Sequence, residues 1–247
     1  MVMKSRTILA VLLLALSFSA GGKETTRFSS GPEQVTLLEL YTSQGCSSCP
    51  PAERWLNRYV DSEALWTHVV PVAFHVDYWD SLGWKDRYAA VEYGERQRAY
   101  VRSGRAGSVY TPGMFVNGRE WRGWMFALTP RESARSPGKL DVTLAQDTLQ
   151  ASFPANGRAL ELHVVLLGFD LETHVLRGEN RNRILPQSFV ALSHAVHPSA
   201  DGHWQVPLPR VQAVDGKRQA VAVWVSEARR PAPLQATGGW LPASLLK

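Results

Sequence analysis

The chain of 247 residues contains two cysteines, Cys46 and Cys49, which are separated by two serines. Two thiols at this spacing can transfer electrons by thiol–disulfide exchange, bind a metal ion, or form a structural disulfide. A disulfide that closes so short a loop removes little conformational entropy from the unfolded chain, so it adds little to stability. The spacing therefore favours redox or metal chemistry over a structural cross-link.

The residues around the cysteines favour the redox interpretation. Residues 34–41, "QVTLLELY", have the apolar pattern of a buried strand, and the "TSQG" that follows predicts a turn. Pro50 and Pro51 suit the first turn of a helix. This order places Cys46 at a helix N-terminus, where unpaired amides and the helix dipole stabilise a thiolate. We therefore predict that Cys46 attacks and that Cys49, one turn inside the helix, resolves the mixed disulfide.

The order of elements along the chain predicts the fold class. After the first helix come a strand at 69–76, a helix at 86–103, and a hairpin of strands 114–116 and 119–121 joined by Asn-Gly. This order is typical of an α/β domain. Beyond it, short alternating runs separated by turn residues predict an antiparallel β-sandwich-like domain. We expect an α/β domain at 33–136 and an appended β-rich domain at 138–247.

Several segments together resemble a known family. The segments "LLELYTSQGCSSCPPAE", "HVDYWDSLGWKDRY", "RQRAY" and "YTPGMFVNGR" resemble the secreted thioredoxin-like family that is catalogued as a domain of unknown function. The match is strong over residues 34–125 and looser through "VLRGENRNRIL" and "LQATGGWLPASL". The resemblance implies a thioredoxin-like N-terminal domain, an appended C-terminal β region and export, but no known reaction. A glycine is expected where Asn182 stands.

The dipeptide Thr111–Pro112 precedes the predicted hairpin. In thioredoxin-like proteins, a cis-proline at this place faces the active cysteines and leaves backbone groups free to pair with the substrate. Because the C-x-x-C and the element order agree with this arrangement, we predict a cis Thr111–Pro112 bond. Pro112 would then serve the reaction, and Thr111 would contact the substrate.

Four other side chains are candidates for the site. Glu39 lies inside the first apolar strand, where burial would raise its pKa and let it act as a base towards Cys49; the alternative is a solvated glutamate. Tyr78 and Trp79 are predicted to bind substrate, although aromatic residues also serve as packing. His75 is either a structural histidine, a stabiliser of the thiolate, or a metal ligand.

Two other functions remain open. Cys46, Cys49 and His75 could form a copper site, since thiolates suit Cu(I); zinc usually takes four ligands, and no second pair at metal-ligand spacing completes such a set. The chain could also be a partner-binding module that makes no use of its thiols. The main prediction needs no cofactor besides the Cys46–Cys49 disulfide, a protein thiol or disulfide as substrate, and a separate redox partner.

The first 22 residues predict where the protein functions. Lys4 and Arg6 precede a short apolar run and then small residues, the pattern of a signal peptide at 1–22, so we expect a periplasmic or secreted protein without membrane insertion. The chain has 27 basic and 22 acidic residues, and loss of Lys4 and Arg6 reduces the net charge from +5 to +3. The remaining basic residues are dispersed, which argues against nucleic-acid binding.

Overall fold

The computed structural model describes residues 25–209 and 218–242. The predicted signal peptide at 1–22 lies outside the described residues. Within the described ranges, no helix is long and apolar enough to cross a membrane.

The described residues form fourteen strands, two α-helices and two short 3₁₀ helices. In chain order, the elements are β1 (Thr25–Ser29), β2 (Thr36–Thr42), α1 (Pro50–Asn57), β3 (Val69–His75), a 3₁₀ helix (Asp77–Leu82), α2 (Val91–Arg102), β4 (Gly113–Val116), β5 (Arg119–Glu120), a 3₁₀ helix (Gly123–Phe126), β6 (Asp141–Ala145), β7 (Thr148–Ser152), β8 (Leu160–Phe169), β9 (Leu171–His174), β10 (Ile184–Gln187), β11 (Val190–Ser199), β12 (His203–Pro207), β13 (Arg218–Glu227) and β14 (Pro233–Trp240).

Most of these strands belong to one mixed sheet of eight, in the order β14-β13-β8-β11-β3-β2-β4-β5. Strand β3 is parallel to both of its neighbours, β2 and β11, whereas the other pairs are antiparallel. A second, antiparallel sheet has the order β1-β6-β7-β12, and β9 pairs with β10 in a two-stranded sheet.

The predicted fold class is wrong. The chain is mostly β, and it does not consist of a thioredoxin-like α/β domain followed by a separate β-sandwich-like domain. Strand β11, which was assigned to the second domain, pairs with β3 through Val190 and Ala73, so strands from both halves share one sheet. Local periodicity predicts strands but not which distant strand pairs with which. The boundary near residues 136–138 stays a prediction.

The two sheets enclose one core, and the eight-stranded sheet has a second core on its other face. On β8, Leu162 and Val164 pack with residues of the four-stranded sheet, while Val165 and Leu167 face the core around β2 and β3. This alternation follows from the period of two along a strand. Strand β8 is therefore buried on both faces, which explains its nearly continuous apolar sequence.

Both helices are shorter than the sequence predicts, since helical spacing of apolar residues continues to Tyr59 and Val60 and the second helix is expected over 86–103. Helix α1 has eight residues, and the chain beyond it forms turns up to the Leu65–Val69 bridge, with Trp66 at a φ of 68°. Helix α2 begins at Val91 rather than near Asp86, because Asp86 turns inward to other contacts. The hairpin of β4 and β5 is confirmed, with Asn117 and Gly118 at φ values of 48° and 73°.

Candidate functional site

The disulfide lies at the junction between β2 and α1. Cys46 and Cys49 are bonded to each other, with their Cα atoms 5.4 Å apart. Cys49 is the N-cap residue of α1, and its carbonyl accepts backbone hydrogen bonds from Ala52 and Glu53 at 2.9 and 3.1 Å. The predicted placement of Cys46 at the helix N-terminus and Cys49 one turn inside is therefore wrong.

The two prolines account for this difference. Pro50 and Pro51 occupy the first positions of α1, where no intrahelical donor is needed. A helix that began at Cys46 would need the backbone amides of both prolines as donors to carbonyls one turn earlier. Proline has no such amide, so the helix begins after Cys49.

Both cysteine side chains are fully buried, at 0% exposure, although Ser47 and Ser48 between them are exposed. The sulfur of Cys46 lies 3.4 Å from the Ser48 hydroxyl oxygen. A thiol that reacts with another protein must reach its surface, because the rate of exchange depends on access. Access to this disulfide therefore depends on what covers it.

The β9–β10 loop, residues 175–183, contacts the backbone of the cysteine turn. Asn180 is fully buried, and its amide nitrogen donates hydrogen bonds to the carbonyls of Gln44 and Cys46, both at 2.9 Å. The Glu179 carboxylate accepts a hydrogen bond from the Ser47 amide at 3.0 Å. These contacts attach a segment from the second half of the chain to the cysteine turn.

The shape of this loop depends on Asn182, where a glycine was expected. Asn182 has a φ of 64°, in the left-handed region that asparagine tolerates better than most residues. The backbone amide of Asn182 donates a hydrogen bond to the Val175 carbonyl at 2.8 Å, which joins the two ends of the loop. Asparagine thus serves in place of glycine.

The Thr111–Pro112 bond is cis, as predicted. Strand β4 pairs with β2 so that Gly113 faces Tyr41, and one further step in this register places Pro112 beside Thr42. The proline therefore lies at the same end of β2 as the cysteine turn.

Trp79 connects the cysteine turn to this proline segment. Its indole nitrogen donates a hydrogen bond to the Thr111 hydroxyl at 2.7 Å, and its Cβ lies 3.7 Å from the point where a side chain on Gly45 would begin. Tyr78 points elsewhere, because its hydroxyl donates to Gln97 on α2 at 3.0 Å. The structure thus brings Trp79 and Thr111 to the site and holds Tyr78 against α2.

Glu39 lies on the face of β2 opposite the disulfide. Its carboxylate accepts hydrogen bonds from Arg96 at 2.7 Å and from the hydroxyl of Tyr100 at 2.6 Å, both on α2. Thr42, three positions further along the strand, points to the α1 side and donates to Glu53. An odd spacing on a strand places two side chains on opposite faces. Glu39 therefore forms a buried ion pair and is not placed to serve Cys49.

The Glu39–Arg96 pair leads to a stability prediction. Glu39→Gln should lower the free energy of unfolding by about 3 kcal/mol, because Arg96 keeps its charge and loses its buried partner. The exchange rate of the disulfide should change by less than about twofold. Denaturant unfolding measures the first effect and reduction kinetics the second.

A matched control is Glu95→Gln, which removes an exposed ion pair with Arg98 on the same helix and should cost no more than about 1 kcal/mol. A large loss of exchange rate in Glu39→Gln would show that Glu39 does serve the disulfide.

A cluster of buried polar side chains lies on the α1 side of β2. His75 Nδ1 and Asp86 Oδ2 are 2.6 Å apart. The same Asp86 oxygen accepts a hydrogen bond from the backbone amide of Gln44 at 2.8 Å. The Thr42 hydroxyl donates to the Glu53 carboxyl at 2.6 Å. Thr42 on β2 is paired with His75 on β3. The Thr42–Glu53 contact therefore lies next to the His75–Asp86 contact.

Burial and charge set the protonation of this cluster. Burial raises the pKa of Glu53, although His75 acts in the opposite direction. Burial would lower the pKa of His75, but the charges of Asp86 and Glu53 raise it above its usual value. Burial likewise opposes ionisation of Asp86, but His75 holds the Asp86 pKa below its usual value. His75 and Asp86 thus favour each other's ionised forms, while burial favours the protonated form of Glu53.

Sequence reasoning missed three residues that the fold brings to the site: Glu53, Asp86 and Asn180. A signal for Glu53 was present, because it follows Cys49 by four residues and such pairs share a helix face. Asp86 and Asn180 lie within segments that carry the family resemblance, but no local pattern shows that they contact the cysteine turn.

The three residues of the copper alternative make other bonds in this structure. The Nδ1 atom of His75 is bonded to Asp86, and the two cysteines are bonded to each other. Over residues 25–209 and 218–242, no group of three or more histidine, cysteine, aspartate or glutamate side chains is arranged to hold a metal ion.

Comparison with known families supplies an identification. The sequence pattern of the family described as "Protein of unknown function (DUF1223)" matches residues 37–226, well over half of the chain. The chain belongs to the DUF1223 family. The matched range includes the cysteine turn, the cis-proline and the β9–β10 loop, so all parts of the candidate site fall within the DUF1223 region. No curated protein matches the sequence significantly.

Two solved structures resemble this DUF1223 chain. Protein AGR_C_4864 from Agrobacterium tumefaciens is 23% identical with a TM-score of 0.56, and the match covers 85% of this chain and 95% of that one. HBP35 of Porphyromonas gingivalis is 15% identical with a TM-score of 0.50, over 85% of this chain and 76% of that one. At these identities, the likeness concerns the fold alone.

Proposed function

We propose that the chain performs thiol–disulfide exchange on protein thiols through Cys46 and Cys49. The observation that carries the proposal is a buried carboxyl one helical turn from the disulfide. Cys49 has helical backbone angles, so Glu53, four residues later, projects from the same face of α1. Burial raises the pKa of Glu53, which suits it to exchange a proton with the Cys49 sulfur.

The proposed reaction transfers two electrons between a substrate dithiol and the disulfide. A substrate thiolate attacks the sulfur of Cys46, the Cys46–Cys49 bond breaks, and Cys49 leaves as a thiolate that takes a proton from Glu53. A second substrate thiolate then attacks the substrate sulfur of the mixed disulfide, and Cys46 leaves as a thiolate. The substrate is oxidised and the two cysteines are reduced; the reverse sequence reduces a substrate disulfide. A separate thiol–disulfide redox partner restores the starting state.

Cys46 is assigned the attacked position because of its surroundings. It lies in the turn beside the exposed Ser47 and Ser48, whereas Cys49 caps the helix and is followed by two prolines. Substrate reaches Cys46 when the β9–β10 loop, which is bonded to the Cys46 carbonyl and the Ser47 amide, moves aside.

We further propose that the local unit of strand, C-x-x-C turn, helix and cis-proline is related to that of thioredoxin-like proteins, as the sequence resemblance implies. The relation concerns this unit and not the arrangement of the whole chain. A periplasmic or secreted location, which would allow a disulfide to persist, rests on the sequence of residues 1–22.

The proposal predicts an asymmetry between the two cysteines. A Cys49→Ala variant incubated with a disulfide-containing peptide should accumulate a mixed disulfide at Cys46, because the resolving thiol is absent. Cys46→Ala should form its adduct at least about tenfold more slowly, since Cys49 caps the helix, whereas Cys46 lies in the turn beside two exposed serines. Intact mass spectrometry over time measures both. Equal trapping rates, or no trapping by either variant, would contradict the proposal.

Burial of both cysteines favours a second candidate, a partner-binding module in which the disulfide is structural. The reduction potential separates the two functions. A structural disulfide has a potential below about −300 mV, whereas exchange catalysts have potentials of about −120 to −270 mV. Equilibration of the pure protein with defined thiol–disulfide buffers gives this value.

A further inference from the structure

A groove of about 440 Å³ lies between α1 and β10. One wall consists of Pro50, Glu53 and Arg54, and the other consists of residues 183–186. Its volume is within the range of sites that bind small molecules or a few residues of a peptide.

The groove begins beside the disulfide. Pro50 directly follows Cys49, and the Arg183 guanidinium donates to the Asn180 side-chain oxygen at 2.9 Å. Asn180 in turn donates to the Cys46 carbonyl. Both walls of the groove thus adjoin the Cys46–Cys49 disulfide. A peptide segment bound in the groove would place a neighbouring residue of the same peptide at Cys46.

The lining combines apolar surface with unpaired positive charge. Ile184 is 63% exposed, and the buried Leu185 lies next to it. Arg54 and Arg183 are both exposed, and neither forms an ion pair with a carboxylate among the residues of the described ranges. The acid in the lining, Glu53, is buried and bonded to Thr42, so it does not neutralise these arginines at the surface.

The backbone of β10 favours an extended ligand. Strand β10 pairs with β9 on one side and, within the described part of the chain, with no strand on its other side. That second side faces α1, where the Asn57 side chain donates to the Pro186 carbonyl at 3.4 Å. A strand edge beside a groove is a usual binding mode for extended peptides. Because Pro186 has no backbone amide and its carbonyl is bonded to Asn57, a ligand can pair only with the part of β10 that precedes Pro186.

We propose that this groove binds an extended segment of the substrate polypeptide, adjacent to its reactive cysteine, that carries acidic side chains for Arg54 and Arg183 and an apolar side chain for Ile184. The assignment of the segment to a redox substrate rests on the proposed function. The preference of the groove for acidic over basic peptides follows from Arg54 and Arg183, and it does not depend on the proposed exchange reaction.

Binding and exchange are tested with matched peptides. Two fluorescent peptides that differ only in glutamates or lysines flanking one serine are titrated with the oxidised protein to measure binding. The same pair with cysteine in place of serine, each blocked as a mixed disulfide, is mixed with the reduced protein. The Cys46 thiolate then attacks the peptide sulfur, the blocking thiol leaves, and the rate of its release measures exchange. The acidic peptide should bind and react about tenfold better, because two arginine–carboxylate contacts contribute. The double variant Arg54→Gln, Arg183→Gln should lower this ratio to about twofold. Arg181→Gln, which removes the same charge from the same loop outside the groove, should leave the ratio unchanged.

The outcomes separate the groove from the exchange function. A ratio near one in the natural chain, or an equal loss in Arg181→Gln, overturns the groove. A tenfold binding preference that the double variant removes supports the groove even when no exchange occurs. Failure of the reduced natural chain to react with hydroxyethyl disulfide, a small neutral probe, overturns the exchange function and leaves the binding result standing.

Discussion

An Asn180→Ala variant should reduce and reoxidise its disulfide about tenfold faster than the natural chain. The Asn180 amide donates two buried hydrogen bonds, to Gln44 and Cys46, that hold the β9–β10 loop over the cysteine turn. Their loss should favour the open loop by about 1–2 kcal/mol, and each 1.4 kcal/mol changes an equilibrium about tenfold. Because the cysteines are fully buried, the reaction rate follows the open fraction. Reduction by excess dithiothreitol measures the rate.

Two charge variants test whether the faster reduction arises from the contacts of the β9–β10 loop. Glu179→Gln weakens the acceptor of the Ser47 amide and should accelerate reduction by about twofold to threefold. Glu172→Gln removes the same charge from the exposed side of β9 and should have no effect. An unchanged rate in Asn180→Ala would show that another element covers the disulfide, and global unfolding measurements would show whether a rate gain reflects general loss of stability.

The features of the site that could be predicted from the sequence are local ones. The C-x-x-C, the Asn-Gly hairpin and the cis bond before Pro112 depend on residues within a few positions of each other. The first residue of α1 also depends on nearby residues. The prediction that the helix begins at Cys46 was wrong because it neglected the missing backbone amides of Pro50 and Pro51.

The choice between Glu39 and Glu53 depends on information of a different kind. Both acids are buried, and an apolar surrounding is visible around each in the sequence. Which acid serves the disulfide depends on the face of β2 to which it points and on Arg96, which lies 57 positions after Glu39 and neutralises it. Strand alternation relative to α1 would have separated the two acids, once Thr42 was placed on the α1 side.

The fold and the cover of the disulfide depend on pairing between distant segments. The joining of β3 to β11 rests on the Ala73–Val190 pair, and the contact of Asn180 with Cys46 spans 134 positions. Alternating hydrophobicity indicates that such strands exist and which face is buried, but it does not encode their neighbours. For this reason the sequence did not predict that β11 lies in the same sheet as β3.

Glu53→Gln should slow the resolution of a mixed disulfide at Cys46 by about 100-fold at neutral pH. In this direction the Cys49 thiol must lose a proton before it attacks, and Glu53 is the buried base on its helix face. Glutamine keeps the size and can still accept the Thr42 hydrogen bond at its oxygen, but it takes no proton. In the natural chain the rate should rise as Glu53 ionises at its raised pKa, and in the variant this rise should disappear. Rapid-mixing release of a fluorescent thiol from Cys46 measures the step.

The same substitution has a thermodynamic consequence with a defined sign. The folded-state pKa of Glu53 is raised above its value of about 4.5, so its contribution to stability is fully present below that pH and is lost as pH rises through the folded pKa. Glu53→Gln should therefore lack this decline, and its free energy of unfolding should fall less between acid and neutral pH. The pKa of His75 should also decrease, because Glu53 helps to raise it, and NMR titration of the ring measures that change. Glu39→Gln, on the other face of β2, should leave both the His75 titration and the resolution rate as they are; a Glu53→Gln variant that resolves at the natural rate would assign the proton transfer to another group.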